Sequence, residues 1–356
     1  MLTASSEATV AGAEVRGLPR LPEWGKSDPA ARKALWHLRD QWRPAVYRAV
    51  VRELRGFRPD VVHSHSLQGI SASPLSAVSR LGLPHVHTAH DLNLLCMEAT
   101  MTRGGRPCRG HCAKCRLQRR VRGRAAATGL DRFIAPSRYL LDRHVEAGVA
   151  LPASSEVIRH GTPAAPAKER AAPGNGLRLG FIGTLAQHKG VPTLLRAIDE
   201  APDGWRLLVA GAGPLEPQVR QAARTGRLEY LGHVSGAARE RFYDSTDVLV
   251  VPSECEESAS LVVAEAAVRG LPAVVSDRGA LPEAPEAQVF HAGDAGSLIL
   301  AARALAASLP DASRRLIARR REFLWDAHLE AVERVLEQAV ASRRAAVDGD
   351  GVRARA

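Results

Sequence analysis

The chain has 356 residues, 45% apolar and 24% charged, with Lys and Arg outnumbering Asp and Glu by 11. That length is too great for one ordinary core and suits two domains, and the composition excludes a disordered or collagen-like chain. No apolar run approaches the roughly 18 residues of a membrane span, and five cysteines, few and odd in number, exclude a secreted disulfide framework, so the chain reads as cytoplasmic.

In chain order, the candidate strands of the first half are AEVRG (13–17), DVVHSH (60–65), PHVHTAH (84–90), DRFIAPS (131–137) and SEVIRHG (155–161). A single long helix is expected from about 30 to 55, with Leu35, Leu38, Trp42, Val46, Val50 and Leu54 on one stripe and basic residues on the other faces. A stripe at three- and four-residue spacing reads as core, although a helix lying on a membrane surface has the same pattern. Residues 1–124 hold 21 Lys and Arg against nine Asp and Glu, and nine basic residues without one acidic residue fall between Arg103 and Arg124. Such a field attracts phosphate-rich partners: nucleic acid, anionic lipid or a phosphorylated substrate. A solvated basic loop is the plainer reading. Within it, Cys96, Cys108, Cys112 and Cys115 stand in LLCMEATMTRGGRPCRGHCAKC, with His111 among them. They are four possible zinc ligands, or thiols that stay reduced or serve regulation.

TPAAPAKERAAPGNG (162–176) has the Pro, Ala, Gly and charge of a domain boundary. Domains are therefore expected at 1–165 and 177–310, joined by a linker at 166–176, with 311–356 forming a C-terminal helix to about 344 and a frayed tail. From Leu177 onward short apolar runs at 177–182, 205–210, 228–232, 247–252 and 272–276 alternate with helical stretches near 190–200, 214–225, 236–245 and 260–269. Val- and Leu-rich strands without polar alternation suit a sheet covered on both faces. Repeated βα units of this length imply a parallel, doubly wound domain.

Two stretches can carry chemistry. In PSECEESASLVVAEAAVRGLP (252–272) a strand ends, a polar loop follows and a helix starts near Ser260; Glu257 lies ahead of the helix and Glu265 within it. The free N–H groups of a helix start form an anion site, and carboxylates on either side suit hydroxyl-rich groups flanking a diphosphate. In FIGTLAQHKGVPTLL (181–195) Gly183 opens the backbone to a ligand and Lys189 offers a point charge to phosphate at the carboxyl end of a strand. VAGAGP (209–214) lacks the third glycine of a dinucleotide loop and reads as a tight strand-to-helix turn.

Taken in order with YLGHVS (230–235), FYDSTDVLVVPS (242–253) and AVRGLPAVVSD (267–277), these words resemble the C-terminal domain of GT-B glycosyltransferases of family 4, the retaining group with a Glu-x7-Glu signature. VVHSHSLQGIS (61–71), HTAHDL (87–92), FIAPSRYLLD (133–142) and VIRHGT (157–162) resemble words of its N-terminal domain. The resemblance implies an α/β fold of two Rossmann-like doubly wound parallel-sheet domains (GT-B). It also implies transfer of a hexose-type sugar from a nucleotide diphosphate sugar as co-substrate, with retention and with no metal or other cofactor. Carried over by position, Glu257 binds donor-sugar hydroxyls and Glu265 the ribose. Lys189, Gly183, Thr184 and the amides from Ser258 through Ser260, Leu261 and Val262 hold the diphosphate, and Gly232, His233 and Val234 face the base. His90 completes the catalytic set with Lys189 and Glu257 once the domains close, His65 and Asp91 stand on the acceptor side, and Trp325 suits the segment that crosses back to the first domain. Two positions depart from the family pattern: Thr184 stands where arginine is usual, and Ala259-Ser260 where Phe-Gly is usual.

The acceptor expected is lipid-linked or an anionic glycan, met by the basic first domain at an anionic membrane surface, which puts the protein at the inner face of the plasma membrane. A non-catalytic nucleotide-sugar-binding or scaffold protein is the alternative to which Thr184 and a short first domain point. A nucleic-acid-binding protein is weakened by the lack of any aromatic residue between Arg103 and Arg124. Finally, Asp60 follows one candidate strand and one helix, where the family has a complete βαβ unit first. The first domain is therefore expected to lack its first βα unit, which exposes a strand edge and weakens solubility and activity.

Overall fold

The computed structural model describes residues 2–3, 14–19, 21, 29–103, 106–108, 110–174 and 176–353. Contacts divide the chain into two units, one of Met1–Met101, Arg109–Ile158 and Ala331–Ala356, the other of Thr102–Cys108 and Arg159–Glu330.

In the first unit Leu2–Thr3 (β1) pairs in parallel with Arg16–Gly17 (β2). The helix expected over 30–55 is two helices, Ala30–Arg39 (α1) and Pro44–Phe57 (α2). Pro44 lacks an N–H and forces Arg43 out of helical geometry, to φ −137° and ψ 106°. The stripe divides at that break. Val46, Val50 and Leu54 are buried with Leu18, Ala77 and Val78, whereas Leu35, Leu38 and Trp42 are 46%, 60% and 44% exposed.

Val62–Ser64 (β3), Ser73–Leu81 (α3) and His85–Thr88 (β4) follow. The short antiparallel pair Thr102–Arg103 (β5) and Arg106–Pro107 (β6), which counts with the second unit, comes next in the chain, then Ala113–Gly129 (α4), Arg132–Ala135 (β7), Arg138–Glu146 (α5) and Glu156–Val157 (β8). The sheet is parallel in the order β3-β4-β7-β8. Among the described residues no strand pairs with the outer edge of β3. Ser137 starts α5 by accepting the Leu140 N–H at 3.1 Å.

The second unit carries Arg178–Ile182 (β9), Val191–Glu200 (α6), Arg206–Ala210 (β10), Glu216–Ala222 (α7), Leu228–Gly232 (β11), Gly236–Ser245 (α8), Val248–Val251 (β12), Leu261–Ala267 (α9), Ala273–Ser276 (β13), Gln288–Phe290 (β14), Ala295–Ala307 (α10) and Leu309–Ala318 (α11). Its six parallel strands run β11-β10-β9-β12-β13-β14, with apolar clusters on both faces. β14 and α10 were not expected from the sequence.

The stretch expected as a linker is without helix or strand and mostly exposed, but Arg170 within it is buried. The unit boundary falls between Ile158 and Arg159, and Arg170, 3% exposed, donates to the carbonyls of Asp244 and Thr246 while its N–H meets Ser313 Oγ at 2.9 Å. The C-terminal helix expected from 311 is also interrupted: α11 ends at Ala318, and Trp325–Arg353 (α12) follows a short 3-10 turn and stays helical past the tail expected from 345. Residues of α12 count with the second unit up to Glu330 and with the first from Ala331. There Val335 and Ala339 pack on Val86, Ile134 and Ile158.

Candidate active site

In the six-stranded sheet β9 leads through β10 to β11 on one side, and β12 leads through β13 to β14 on the other. The carboxyl ends of β9 and β12 thus flank the point where strand order reverses, which is where open α/β sheets hold ligands. The loops 183–190 and 252–260 leave from these two ends. They are pinned to each other by backbone: the Glu254 N–H donates to the His188 carbonyl at 2.8 Å. Gly190, at φ +72°, passes so close to Pro252 that a Cβ would stand 1.7 Å from its carbonyl oxygen, so no side chain fits there.

This pinning brings Lys189 to Glu257, with Nζ 2.7 Å from Oε1. Ser253 Oγ donates to the same oxygen at 2.6 Å. The carbonyls around the carboxylate are fixed in turn: Ser276 Oγ donates to Ser253 O at 2.6 Å and the Ala280 N–H to Glu257 O at 2.7 Å. The Lys189 and Glu257 side chains remain 31% and 15% exposed. A polar ligand can therefore reach both without the site unfolding.

Glu265 is held by a different set. Tyr243 OH donates to Oε2 at 2.6 Å and Arg239 approaches Oε1 at 3.3 Å. Burial, and then the Glu265 carboxylate, push the Tyr243 phenol upward, so it stays a donor. Arg269 lies 4.5 Å from the Tyr243 ring centre and donates to the Glu265 carbonyl at 2.6 Å. Ser253, Arg239 and Tyr243 were not singled out in the sequence. The only signal for the last two is their four-residue spacing on one helix, which puts them on one face.

Of the other expected donor-side residues, Thr184 is exposed, and the Gly183 N–H is used by the Ala210 carbonyl at 3.0 Å. Gly232 ends β11 and accepts the Gly211 N–H at 2.7 Å; His233 is exposed and Val234 half-buried. Gly211, at φ +132°, would place a Cβ 1.8 Å from Gly183 O, so VAGAGP is the tight turn its spacing implied. Ser258 precedes α9, Ser260 is its N-cap without a side-chain cap bond, and Leu261 and Val262 open its seven-residue span.

In the first unit the carboxyl ends of β3 and β4 gather histidines. His65 Nδ1 and His90 Nε2 share a hydrogen bond of 2.9 Å, with stacked rings 5.1 Å apart. Behind them His63 bonds Thr88 at 2.8 Å, and Ser64 Oγ bonds both His85 at 2.8 Å and His87 at 2.9 Å. Asp91 accepts the Asn93 N–H at 2.8 Å, and burial raises its carboxyl. The loop beyond is fixed by the buried pair of Arg122 and Asp40, 2.7 Å apart, with Arg122 also bonded to Asn93.

Among the described residues no group of three or more His, Cys, Asp or Glu side chains is placed to hold a metal ion. The zinc reading of Cys96, Cys108, Cys112 and Cys115 therefore has no support in the geometry. Nor is any described helix long and apolar enough to cross a membrane.

Two family profiles match the chain, glycosyltransferase family 4 over residues 7–165 and glycosyl transferases group 1 over residues 176–319. An uncharacterised 42.6 kDa protein of the Klebsiella pneumoniae cps region is 24% identical over 73% of this chain and 69% of its own length. D-inositol 3-phosphate glycosyltransferase of Segniliparus rotundus is 30% identical over 67% of this chain, which spans only 56% of that protein. Anabaena HepE, solved in complex with UDP, superposes with a TM-score of 0.68 at 16% identity, over 91% of this chain and 86% of that one. At that identity the likeness concerns the fold, which is the GT-B arrangement.

Proposed function

The chain belongs to the group 1, family 4 glycosyltransferases, and from that premise we propose that it moves a hexose-type sugar from a nucleoside diphosphate sugar to an acceptor with retention of anomeric configuration. The observation that carries this reading is the Lys189–Glu257 contact of 2.7 Å at the reversal point of the second sheet. Lys189 has three N–H donors, of which Glu257 takes one. The others are available to the diphosphate, whose negative charge grows as the glycosidic bond breaks, so a fixed ammonium lowers that barrier. With the charge supplied in this way, transfer does not require a divalent cation. Glu257 accepts from sugar hydroxyls, and Glu265, oriented by Tyr243 and Arg239, accepts from the ribose. Ser258, the amides of Ser260 to Val262, and Gly183-Thr184 line the diphosphate; Gly232 to Val234 receive the base. His65, His90 and Asp91 are assigned to the sugar and acceptor side. HepE, of like fold, was solved with UDP, which supports a nucleoside diphosphate as the leaving group.

The acceptor we assign is lipid-linked or anionic. What supports this is α1, whose exposed Leu35 and Leu38 lie with Arg32 and Arg39, followed by the exposed Trp42 in the connection to α2.

Release of nucleoside diphosphate from a panel of UDP- and GDP-sugars, with EDTA present, tests the donor site. Lys189→Ala, Glu257→Ala and Glu265→Ala should each slow transfer at least about tenfold, since a charge-assisted contact is worth roughly 1.5–3 kcal/mol. Normal turnover in both Glu variants overturns the assignment. Tight nucleotide binding without turnover in the unmodified chain would mark a binding protein instead.

A further inference from the structure

β3 and β4 pair in parallel, with Val62 beside His85 and Ser64 beside His87. That register brings His65, the first residue after β3, and His90, the second after β4, to the same end of the sheet. Both are exposed. An exposed imidazole ordinarily samples several rotamers, yet these two are ordered by each other and by the sheet. His65 Nδ1 and His90 Nε2 are 2.9 Å apart, and the rings stack with only 20° between their planes. His65 also meets His63, two residues earlier and so on the same face of the extended chain, with ring centres 4.2 Å apart. His63 in turn is tied to β4 by the 2.8 Å bond between its Nε2 and Thr88 Oγ1. The contacts thus run from Thr88 through His63 to His65 and end on His90.

We propose that His65 is a positioning residue for His90, holding its imidazole in one rotamer and biasing it to one tautomer, a role that rests on the reading of His90 as part of the sugar site. A neutral imidazole carries one N–H and one bare nitrogen. Two neutral rings joined through facing nitrogens hold a single proton between them, donated by one and accepted by the other. When His65 Nδ1 donates, His90 carries its own proton on Nδ1; when His90 Nε2 donates, His65 carries its own on Nε2. The two tautomers are therefore linked, and the partner of each ring sets where the other keeps its proton. An exposed hydrogen bond competes with water and adds little to the fold. Its effect falls on the placement of the ring, and a misplacement of about 1 Å at a reacting centre can cost roughly 100-fold in rate. His65 on this account acts through His90 and does not touch the sugar.

The test measures release of nucleoside diphosphate from the panel of UDP- and GDP-sugars, with water as acceptor, by the whole chain and its variants. His65→Phe keeps a ring beside His63 and removes the nitrogens. It should lower kcat at least about tenfold and leave the donor KM nearly unchanged. His65→Asn restores a polar group near the place of Nδ1 and should recover most of that loss. In a His90→Phe background, His65→Phe should cost nothing further. Full kcat in His65→Phe, a loss in His65→Asn as deep as in His65→Phe, or a further loss in the double variant overturns the proposal; the last would make His65 a contact of the sugar itself. Nitrogen-15 NMR of the imidazoles separates these failures from failure of the sugar-site reading. The tautomer balance of His90 should change in His65→Phe, and an unchanged balance overturns the pairing whatever the activity. A changed balance in a chain whose turnover survives His90→Phe would overturn the place of His90 in sugar transfer, and the role of His65 with it.

Discussion

Thr184 offers a hydroxyl at the position where the resembling family has an arginine, in the loop that carries Lys189. It is exposed, and a Cβ on the neighbouring Gly183 would meet nothing nearer than the Phe181 ring at 3.5 Å. A longer side chain therefore has room. A guanidinium can bond phosphate in a bidentate manner, so Thr184→Arg should tighten nucleoside diphosphate binding about tenfold or more by calorimetry. Equal or weaker affinity would mean that the loop is built around another group. Tyr243 allows a finer test. Removing its hydroxyl frees one oxygen of Glu265, and a hydrogen bond to a charged group is worth roughly 1.5–3 kcal/mol. Tyr243→Phe should therefore raise the donor KM about tenfold or more and leave kcat nearly unchanged; a fall in kcat alone would show that Tyr243 does more than position Glu265.

At the scale of elements, the instructive case is the break at Pro44. A sequence stripe over Leu35 to Leu54 cannot say whether both halves find a partner, because periodicity reports a face and not what covers it. Pro44 turns the second half into the core and leaves Leu35, Leu38 and Trp42 exposed beside Arg32 and Arg39. That combination of aromatic, leucine and arginine suits the interface of an anionic bilayer. Leu38→Glu with Trp42→Glu should abolish sedimentation with phosphatidylglycerol vesicles and spare donor-nucleotide binding. Equal retention of the double variant would exclude the stretch from α1 to Trp42 as the contact. The βα rhythm from Leu177 was legible because strands covered on both faces are written as unbroken apolar runs. The loops carrying Lys189 and Glu257 were legible because they sit at the carboxyl ends of those runs. Ser253, Arg239 and Tyr243 were not, since a serine or a helical tyrosine acquires its meaning only from the carboxylate that folding sets beside it. Arg170 escaped for the same reason: within a Pro- and Ala-rich stretch it looks like linker, and only its carbonyl partners show that its side chain is buried.

For the molecule as a whole, three buried histidines of the first unit make its stability depend on acidity. Burial pushes His85 and His144 down to about 4, and His87 well below its ordinary value. In the unfolded chain each titrates near 6.5. Between those values the unfolded state binds more protons, so stability is full above about pH 6.5 and is lost as pH falls toward 4, by up to about 1.4 kcal/mol per pH unit for each ring. His144 Nε2 has no partner, while its Nδ1 bonds the Leu140 carbonyl at 2.7 Å. His144→Leu should remove about one proton from the slope of the urea midpoint against pH. This is best followed by the tryptophans of the first unit in a background with Trp205→Phe and Trp325→Phe. An unchanged slope would show that His144 does not titrate on unfolding.

The division of α12 between the units also bears on how the chain is made. Val335 and Ala339 cover Val86, Ile134 and Ile158, so β4 and β7 wait for residues synthesised after the whole second unit before their apolar face is closed. The second unit, nearly continuous from Arg159 to Glu330, has no such wait. On a ribosome the order of completion is therefore the reverse of the order of synthesis, and through most of translation the early sheet depends on chaperones, or on speed, to stay out of aggregates.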